Sequence, residues 1–187
     1  MKKKILFILI FILFLFNLNS KILVKIGPFA GLYANSDSKL KEIYNGQELF
    51  SGGEGGIIFY KGLGVFLRAG YIRFTSITEP LEDVTKLSLI PVDLSVRYYF
   101  ELGSISPFIG IGYRFLSFKE EAKLGENEFV LDEKANSVIA EGGLELYLSK
   151  RFSIQLSLSY CKTPVSPTGV EVDLGGINAL VTFFVKI

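Results

Sequence analysis

The sequence contains no histidine and no tryptophan, and it has one cysteine and one methionine among 187 residues. Without histidine the chain cannot build Ser-His-Asp or Cys-His nucleophile systems, and nearly all zinc sites are excluded. The single cysteine, Cys161, cannot form a disulfide within the chain. We therefore expect a protein that is not an enzyme and binds no metal or cofactor, although Asp, Glu, Lys and Tyr chemistry stays open.

The chain also lacks an excess of positive or negative charge, because its formal net charge is only +1. Such a chain has no strong field that would steer it toward nucleic acid, so no nucleic-acid partner is expected.

The chain has one long apolar run, Ile5–Phe16, which directly follows the basic segment Met1–Lys4. A membrane-spanning helix needs about 20 such residues, whereas the core of a signal peptide needs roughly 7–15. A polar stretch that ends at Ser20 follows the run. We expect residues 1–20 to be a signal peptide and residues 21–187 to be the exported domain. The alternative is an uncleaved anchor helix.

Beyond the apolar run, apolar and polar residues alternate, and no stretch is predicted as a helix. In the clearest case, Phe152, Ile154 and Leu156 share one face of a strand while Ser153 and Gln155 share the other. Eight segments are predicted as strands on this basis: Ile22–Tyr33, Ser51–Tyr60, Leu63–Phe74, Leu87–Phe100, Ile105–Phe118, Asn136–Leu148, Phe152–Tyr160 and Ile177–Ile187.

The connections between these strands alternate in length. The short ones are 61–62, 101–104 and 149–150, and the long polar ones are 35–50, 77–86, 119–135 and 162–170. Short turns on one side and long loops on the other are typical of transmembrane barrels. The fold predicted is all-β: an eight-stranded antiparallel up-and-down transmembrane β-barrel with short periplasmic turns and longer extracellular loops.

A soluble, lipocalin-like barrel with its apolar face inward is the alternative fold. It would carry many Lys and Glu residues on its polar face for solubility. Here that face carries Gly, Ser, Gln and Tyr with one or two charges per strand, as expected of a confined lumen. This composition favours the membrane barrel.

The chain resembles the OmpA/OmpX-like family of small outer-membrane β-barrels. The resemblance lies in the eight-strand pattern and in segments such as Gly64–Tyr71 and Pro107–Tyr113. It implies location in the outer membrane of a Gram-negative-type bacterium and insertion by the barrel-assembly machinery. In members of this family the last strand often ends with an aromatic residue that this machinery recognises, whereas here it ends with Ile187.

The charged residues on the polar face comprise four of each sign: Lys25, Glu54, Arg68, Asp93, Arg97, Arg114, Glu141 and Glu145. An eight-stranded barrel has an interior just wide enough for side chains, and a buried unpaired charge is expensive. We predict that these residues pair as a structural network in the lumen. The alternative is a gated pore, or a small-ligand site at one mouth.

Other motifs carry less information. The glycine-rich segment Gly52–Gly56 lacks the following helix of a phosphate-binding loop. Glu141 and Glu145 would stand about 13 Å apart on a strand, too far to act on one bond. The segment Lys119–Lys134 is predicted as an acidic, solvated loop where partners or divalent cations would act.

The sequence thus predicts a monomeric outer-membrane barrel with a structural or surface-interaction role, in contact with lipid and exposing its loops to a possible surface ligand. A narrow porin-like channel for ions or small solutes is the second hypothesis. An enzyme that modifies lipids or peptides is the third, and the missing histidine argues against it.

Overall fold

The computed structural model describes residues 22–187 except 45, 79–82, 101, 125–126, 167–168 and 170. The predicted signal peptide and its cleavage site lie outside the described residues. The elements are β1 (Leu23–Asn35), α1 (Ser38–Tyr44), β2 (Gln47–Tyr60), β3 (Leu63–Thr78), β4 (Asp83–Tyr99), β5 (Ile105–Leu124), β6 (Asn127–Tyr147), β7 (Phe152–Cys161), β8 (Pro164–Val165), β9 (Val172–Asp173) and β10 (Gly176–Lys186).

Eight of these strands form a closed antiparallel barrel in the order β1-β10-β7-β6-β5-β4-β3-β2, and β8 and β9 form a separate two-stranded sheet. The shear of the barrel is found by stepping from each residue to its paired neighbour once around the wall. The residues on this path are Lys25, Gly56, Phe66, Ser95, Gly112, Ile139, Cys161, Gly176 and Asn35. The path returns to β1 ten residues beyond its start. With ordinary strand spacings this shear tilts the strands by about 40°.

Side chains alternate between the two sides of the barrel wall, as predicted. Along β7, Leu158 and Tyr160 are exposed on the outside, whereas Ser157 and Ser159 are buried inside. We call the exposed apolar zone around the wall the belt; it includes Ile26, Leu32, Leu49, Ile57, Leu67, Tyr71, Ile90, Leu94, Ile109, Ile111, Tyr113, Phe115, Val138, Leu144, Leu156, Leu158, Tyr160, Ile177, Val181 and Phe183. An apolar band on the outside of a polar interior is the arrangement of a membrane-spanning barrel.

The two ends of the barrel differ. The lower end carries the short connections 61–62, 100–104 and 148–151, and the upper end carries α1 and the segment between β7 and β10. The β2–β3 turn at the lower end requires a left-handed backbone at both Lys61 and Gly62, with φ of 37° and 86°. A Cβ on Gly62 would lie 2.2 Å from the carbonyl oxygen of Tyr99, so glycine is needed there.

The prediction of polar loops at 77–86 and 119–135 is wrong, because strands continue through most of both segments. β5 and β6 stay paired up to Leu124 and Asn127, and β3 and β4 stay paired up to Thr78 and Asp83. Lys, Glu and Asp occupy both faces of these extensions, so apolar alternation gives no strand signal. Backbone pairing thus continues above the belt, where the outer face is no longer apolar.

The prediction that no helix is present is also wrong, since α1 lies between β1 and β2. No helix in the described part of the chain is long and apolar enough to cross a membrane.

The belt can be tested by placing a charge on two equally exposed apolar residues. Leu158 lies within the belt and is 61% exposed, whereas Phe129 lies on the β6 extension and is 59% exposed. In lipid vesicles, Leu158→Arg should lower the free energy of unfolding by about 2–4 kcal/mol, and Phe129→Arg by less than about 1 kcal/mol. Equilibrium unfolding in denaturant measures both. Equal losses would show that the wall does not face hydrocarbon.

Candidate functional site

The eight charged residues predicted to face the lumen are all buried inside the barrel: Lys25, Glu54, Arg68, Asp93, Arg97, Arg114, Glu141 and Glu145. They come from six strands, because the alternation of each strand directs every second side chain inward. The structure brings them together as one network of six residues and one separate pair.

The centre of the network is a square of two arginines and two glutamates. Arg68 donates from Nε to Glu54 at 2.9 Å and from Nη2 to Glu141 at 3.1 Å. Arg97 donates to both oxygens of Glu141, at 2.6 and 3.0 Å, and also to Glu54. Each carboxylate therefore bridges both guanidinium groups, so that the four charges neutralise one another.

The network continues upward through Asp93 and Arg114. Arg114 donates from Nε and Nη2 to the two oxygens of Asp93 at 2.7 and 2.8 Å, a bidentate pair. Its Nη1 donates to Sγ of Cys161 at 3.2 Å. Nη1 of Arg68 lies 3.8 Å from Asp93, which connects this pair to the square. Planar guanidinium groups suit such shared, two-pronged contacts better than lysine does.

Lys25 and Glu145 form the separate pair near the lower end. The Lys25 Nζ lies 2.5 Å from Oε2 of Glu145, and both side chains are fully buried. The same ammonium lies 4.5 Å from the centre of the Tyr99 ring. The Tyr99 hydroxyl donates in turn to Gln155 at 2.9 Å. A cation held between a carboxylate and an aromatic face is well stabilised after leaving water.

Apolar layers close the lumen above and below the six-residue network, and the Lys25–Glu145 pair lies against the lower layer. The lower layer consists of Phe66, Tyr99, Phe108 and Phe184, with Ile58 packed against it. The upper layer contains Phe29, Tyr33, Leu40, Tyr44, Phe50, Ile72, Phe74, Leu87, Leu89, Leu116, Phe118, Leu174 and Leu180. The guanidinium of Arg97 lies 4.3 Å from the centre of the Phe66 ring, so the lower layer packs directly against the network.

Helix α1 forms the lid of the upper layer. Its buried residues are Leu40 and Tyr44, and the Tyr44 hydroxyl donates to Glu120 at 2.9 Å. Burial, and then the charge of Glu120, raises the pKa of Tyr44, so this hydroxyl stays protonated. The lid was missed by alternation analysis, yet two local signals were present. Leu40 and Tyr44 are four residues apart, and Asp37 stands at the N-cap.

Asp37 joins the lid to the β8–β9 sheet. One of its carboxylate oxygens accepts hydrogen bonds from the amides of Lys39 and Leu40 at 2.8 and 3.3 Å. The other accepts one from the amide of Asp173 at 2.9 Å. These bonds, with that of Asp173 the largest contribution, lower the pKa of Asp37. The ionised carboxylate thus fixes both the start of the helix and its contact with the opposite connection.

No family model matches the chain, and no curated protein matches it in sequence. Solved structures do match. OprG from Pseudomonas aeruginosa superposes with a TM-score of 0.64 at 16% identity, over 90% of this chain and 96% of that one.

The chain has the fold of the small outer-membrane β-barrels. A major outer membrane protein from Thermus thermophilus superposes with a TM-score of 0.58 at 10% identity, covering 89% of this chain and 100% of that one. Ail from Yersinia pestis, solved with the heparin analogue sucrose octasulfate, has a TM-score of 0.57 at 12% identity, over 91% and 100% of the two chains.

The separate pair of Lys25 and Glu145 can be tested by a double-mutant cycle. Lys25→Met leaves the Glu145 carboxylate buried without its counter-charge, and we expect the free energy of unfolding to fall by about 3–5 kcal/mol. Adding Glu145→Gln should recover most of this loss, because the uncompensated charge is then gone. Lys41→Met, at an exposed position on α1, is the matched control and should cost less than about 0.5 kcal/mol. Strictly additive losses in the double variant would contradict a direct ion pair.

The lid should respond to acid through Asp37. Because folding lowers the pKa of Asp37, its stabilising effect is complete above the unfolded-state pKa and is lost as pH falls through the folded-state value. In NMR spectra, the amide resonances of Leu40 and Asp173 should titrate together with a midpoint below the ordinary aspartate pKa. Asp37→Asn should abolish this titration, and Glu42→Gln should leave it intact. A titration that survives Asp37→Asn would assign it to another group.

Proposed function

We propose that the chain is a monomeric outer-membrane barrel with a structural or surface-interaction role, and that it has no catalytic activity. The observation that carries this proposal is that side chains close the lumen at three levels: the upper apolar layer under its helical lid, the charge network and the lower aromatic layer. A barrel filled in this way acts as an anchor and presents its upper end to the outside. Insertion would depend on the barrel-assembly machinery.

The upper end offers a raised surface. β2 pairs with β3 only as far as Ile72, and β7 pairs with β6 only as far as Ile139, whereas β3 and β6 extend further. The upper parts of β3 to β6 thus form a four-stranded sheet that rises beyond the rest of the barrel. Edge strands of such a sheet have free backbone groups that can pair with another chain. This raised sheet supports a surface-interaction role.

The interior chemistry argues for a structural rather than a catalytic role. Glu54, Asp93, Glu141 and Glu145 all bind arginine or lysine, which leaves them poor general acids or bases. Among the described residues, no group of three or more His, Cys, Asp and Glu side chains is placed to hold a metal ion.

One observation favours the second hypothesis, a narrow channel. Within the described structure, five buried polar atoms without a hydrogen-bond partner lie on one wall of the lumen: Ser106 Oγ, Glu145 Oε1, Ser153 Oγ, Gln155 Nε2 and Ser157 Oγ. Register places Glu145 opposite both Ser106 and Gln155. Orphaned polar groups of this kind favour hydration, and a hydrated wall is what a solute path would need.

Recordings in planar lipid bilayers separate the two functions. The purified barrel should give no single-channel events at any applied voltage, because three separate levels close the lumen. Replacement of residues 37–45 by a Gly-Ser linker should also leave the trace closed, since the charge network and lower layer remain. Steady conductance of the unmodified chain would establish the channel and refute the anchor. Faster gel migration before boiling than after it shows that each preparation is folded.

A further inference from the structure

The outward-facing residues of the barrel change abruptly from apolar to charged or polar where β3 to β6 rise above the belt. The last apolar residues of the belt on this side are Tyr71, Ile90, Phe115 and Val138. Outward-facing residues immediately above them are charged or polar. With strands tilted by about 40°, two residues rise about 5 Å along the barrel axis and four residues about 10 Å. The first charged residues therefore stand at the height where lipid head groups would lie.

Four cations occupy this zone, one on each of four neighbouring strands: Arg73, Lys86, Lys119 and Lys134. Register puts Arg73, Ser88, Lys119 and Asp132 side by side in one row, and it puts Lys86 beside Glu121 in the next. Two carboxylates, Glu121 and Asp132, share this outward face, which leaves a net charge of +2. We call these six charged residues the cationic patch.

The row of Arg73, Ser88 and Lys119 has the donors that a phosphate group needs. Arg73 and Lys119 are two strand spacings apart, about 10 Å, and their long side chains can converge over the residue between them. Ser88 supplies a hydroxyl, which lies 3.1 Å from the hydroxyl of Tyr71 in the top row of the belt. Guanidinium, ammonium and hydroxyl groups together form a typical oxyanion site.

The direction of the patch indicates where its ligand comes from. These side chains point sideways from the barrel wall, on the same face as the belt residues Leu67, Tyr71 and Phe115. A ligand whose acyl chains lie against the belt would bring its head group directly beneath the cations. A soluble partner would have to approach the same residues through the head groups of the surrounding lipids.

We infer that the cationic patch binds the phosphate groups of an anionic lipid in the outer leaflet, with the acyl chains of that lipid packed on the belt below. This inference rests on the membrane placement proposed above. It assigns a lipid partner to the outer face of the raised sheet, whereas the two edges of that sheet stay open to a surface ligand.

Glu121 limits the strength of this site. Its Oε1 lies 2.7 Å from Nζ of Lys119, and register also places it beside Lys86. A phosphate that binds Lys119 must therefore compete with a carboxylate that is already present. Removal of this carboxylate should strengthen lipid binding, a result opposite to that of removing a cation.

The test measures binding of two lipids to the purified barrel in detergent micelles by native mass spectrometry. One lipid is a diphosphorylated glucosamine disaccharide glycolipid, and the other is the same glycolipid without its phosphates. Arg73→Gln with Lys119→Gln should weaken binding of the phosphorylated lipid about 25-fold, or about fivefold for each cation. Glu121→Gln should tighten it about fivefold. Lys39→Gln with Lys41→Gln, the same charge change on α1, should have no effect.

Three results would overturn the inference. One is equal affinity of the unmodified barrel for the two lipids. Another is equal loss of binding in the β3–β5 and α1 double variants. The third is that sucrose octasulfate displaces the lipid from the unmodified barrel but not from the variant with Arg73→Gln and Lys119→Gln. That result would assign the patch to a soluble polyanion. Gel migration before and after boiling, together with insertion into phosphatidylcholine vesicles, tests membrane placement independently, so that the two proposals can fail separately.

Discussion

The narrow interior of an eight-stranded barrel is the constraint on which the other features depend. Once the sheet closes, each inward side chain meets those from the opposite wall, and little room is left for water. A charge in that space must find a counter-charge, which explains why Glu54 and Glu141 each contact both Arg68 and Arg97. Apolar layers above and below then keep these ion pairs away from solvent. Replacing one partner alone is costly because the rest of the network cannot rearrange around water.

Much of this architecture could be read from the sequence, because a strand reveals its two faces at every second residue. The inward position of Arg68 follows directly from its place between Leu67 and Ala69. Its partners do not follow in the same way. Glu54 is its neighbour on β2, but Glu141 lies on β6, three strands away across the lumen. That contact depends on the shear of the closed barrel, which becomes known only when all eight registers are known.

The strand extensions above the belt were not predicted, because the surroundings that produce alternation are missing there. Alternation reflects an apolar outer surface on one side of the strand and a confined lumen on the other, so it fades once a strand rises above the belt. Lys119, Glu120 and Glu121 belong to a paired strand although they read as a solvated loop. The lid was missed for a different reason. Seven residues are too few for helical periodicity to emerge, and only its N-cap and the pair Leu40 and Tyr44 mark it.

The pairing of β1 with β10 has a kinetic consequence. These strands lie at opposite ends of the described chain, and Val24 exchanges backbone hydrogen bonds with Ile187, the final residue. The barrel therefore cannot close until β10 is available, and the closing contacts join the two barrel strands that are farthest apart along the described chain. Such contacts carry a large loop-closure entropy and form slowly. Until then both terminal strands keep an open edge, so the half-assembled sheet needs protection from pairing with other chains.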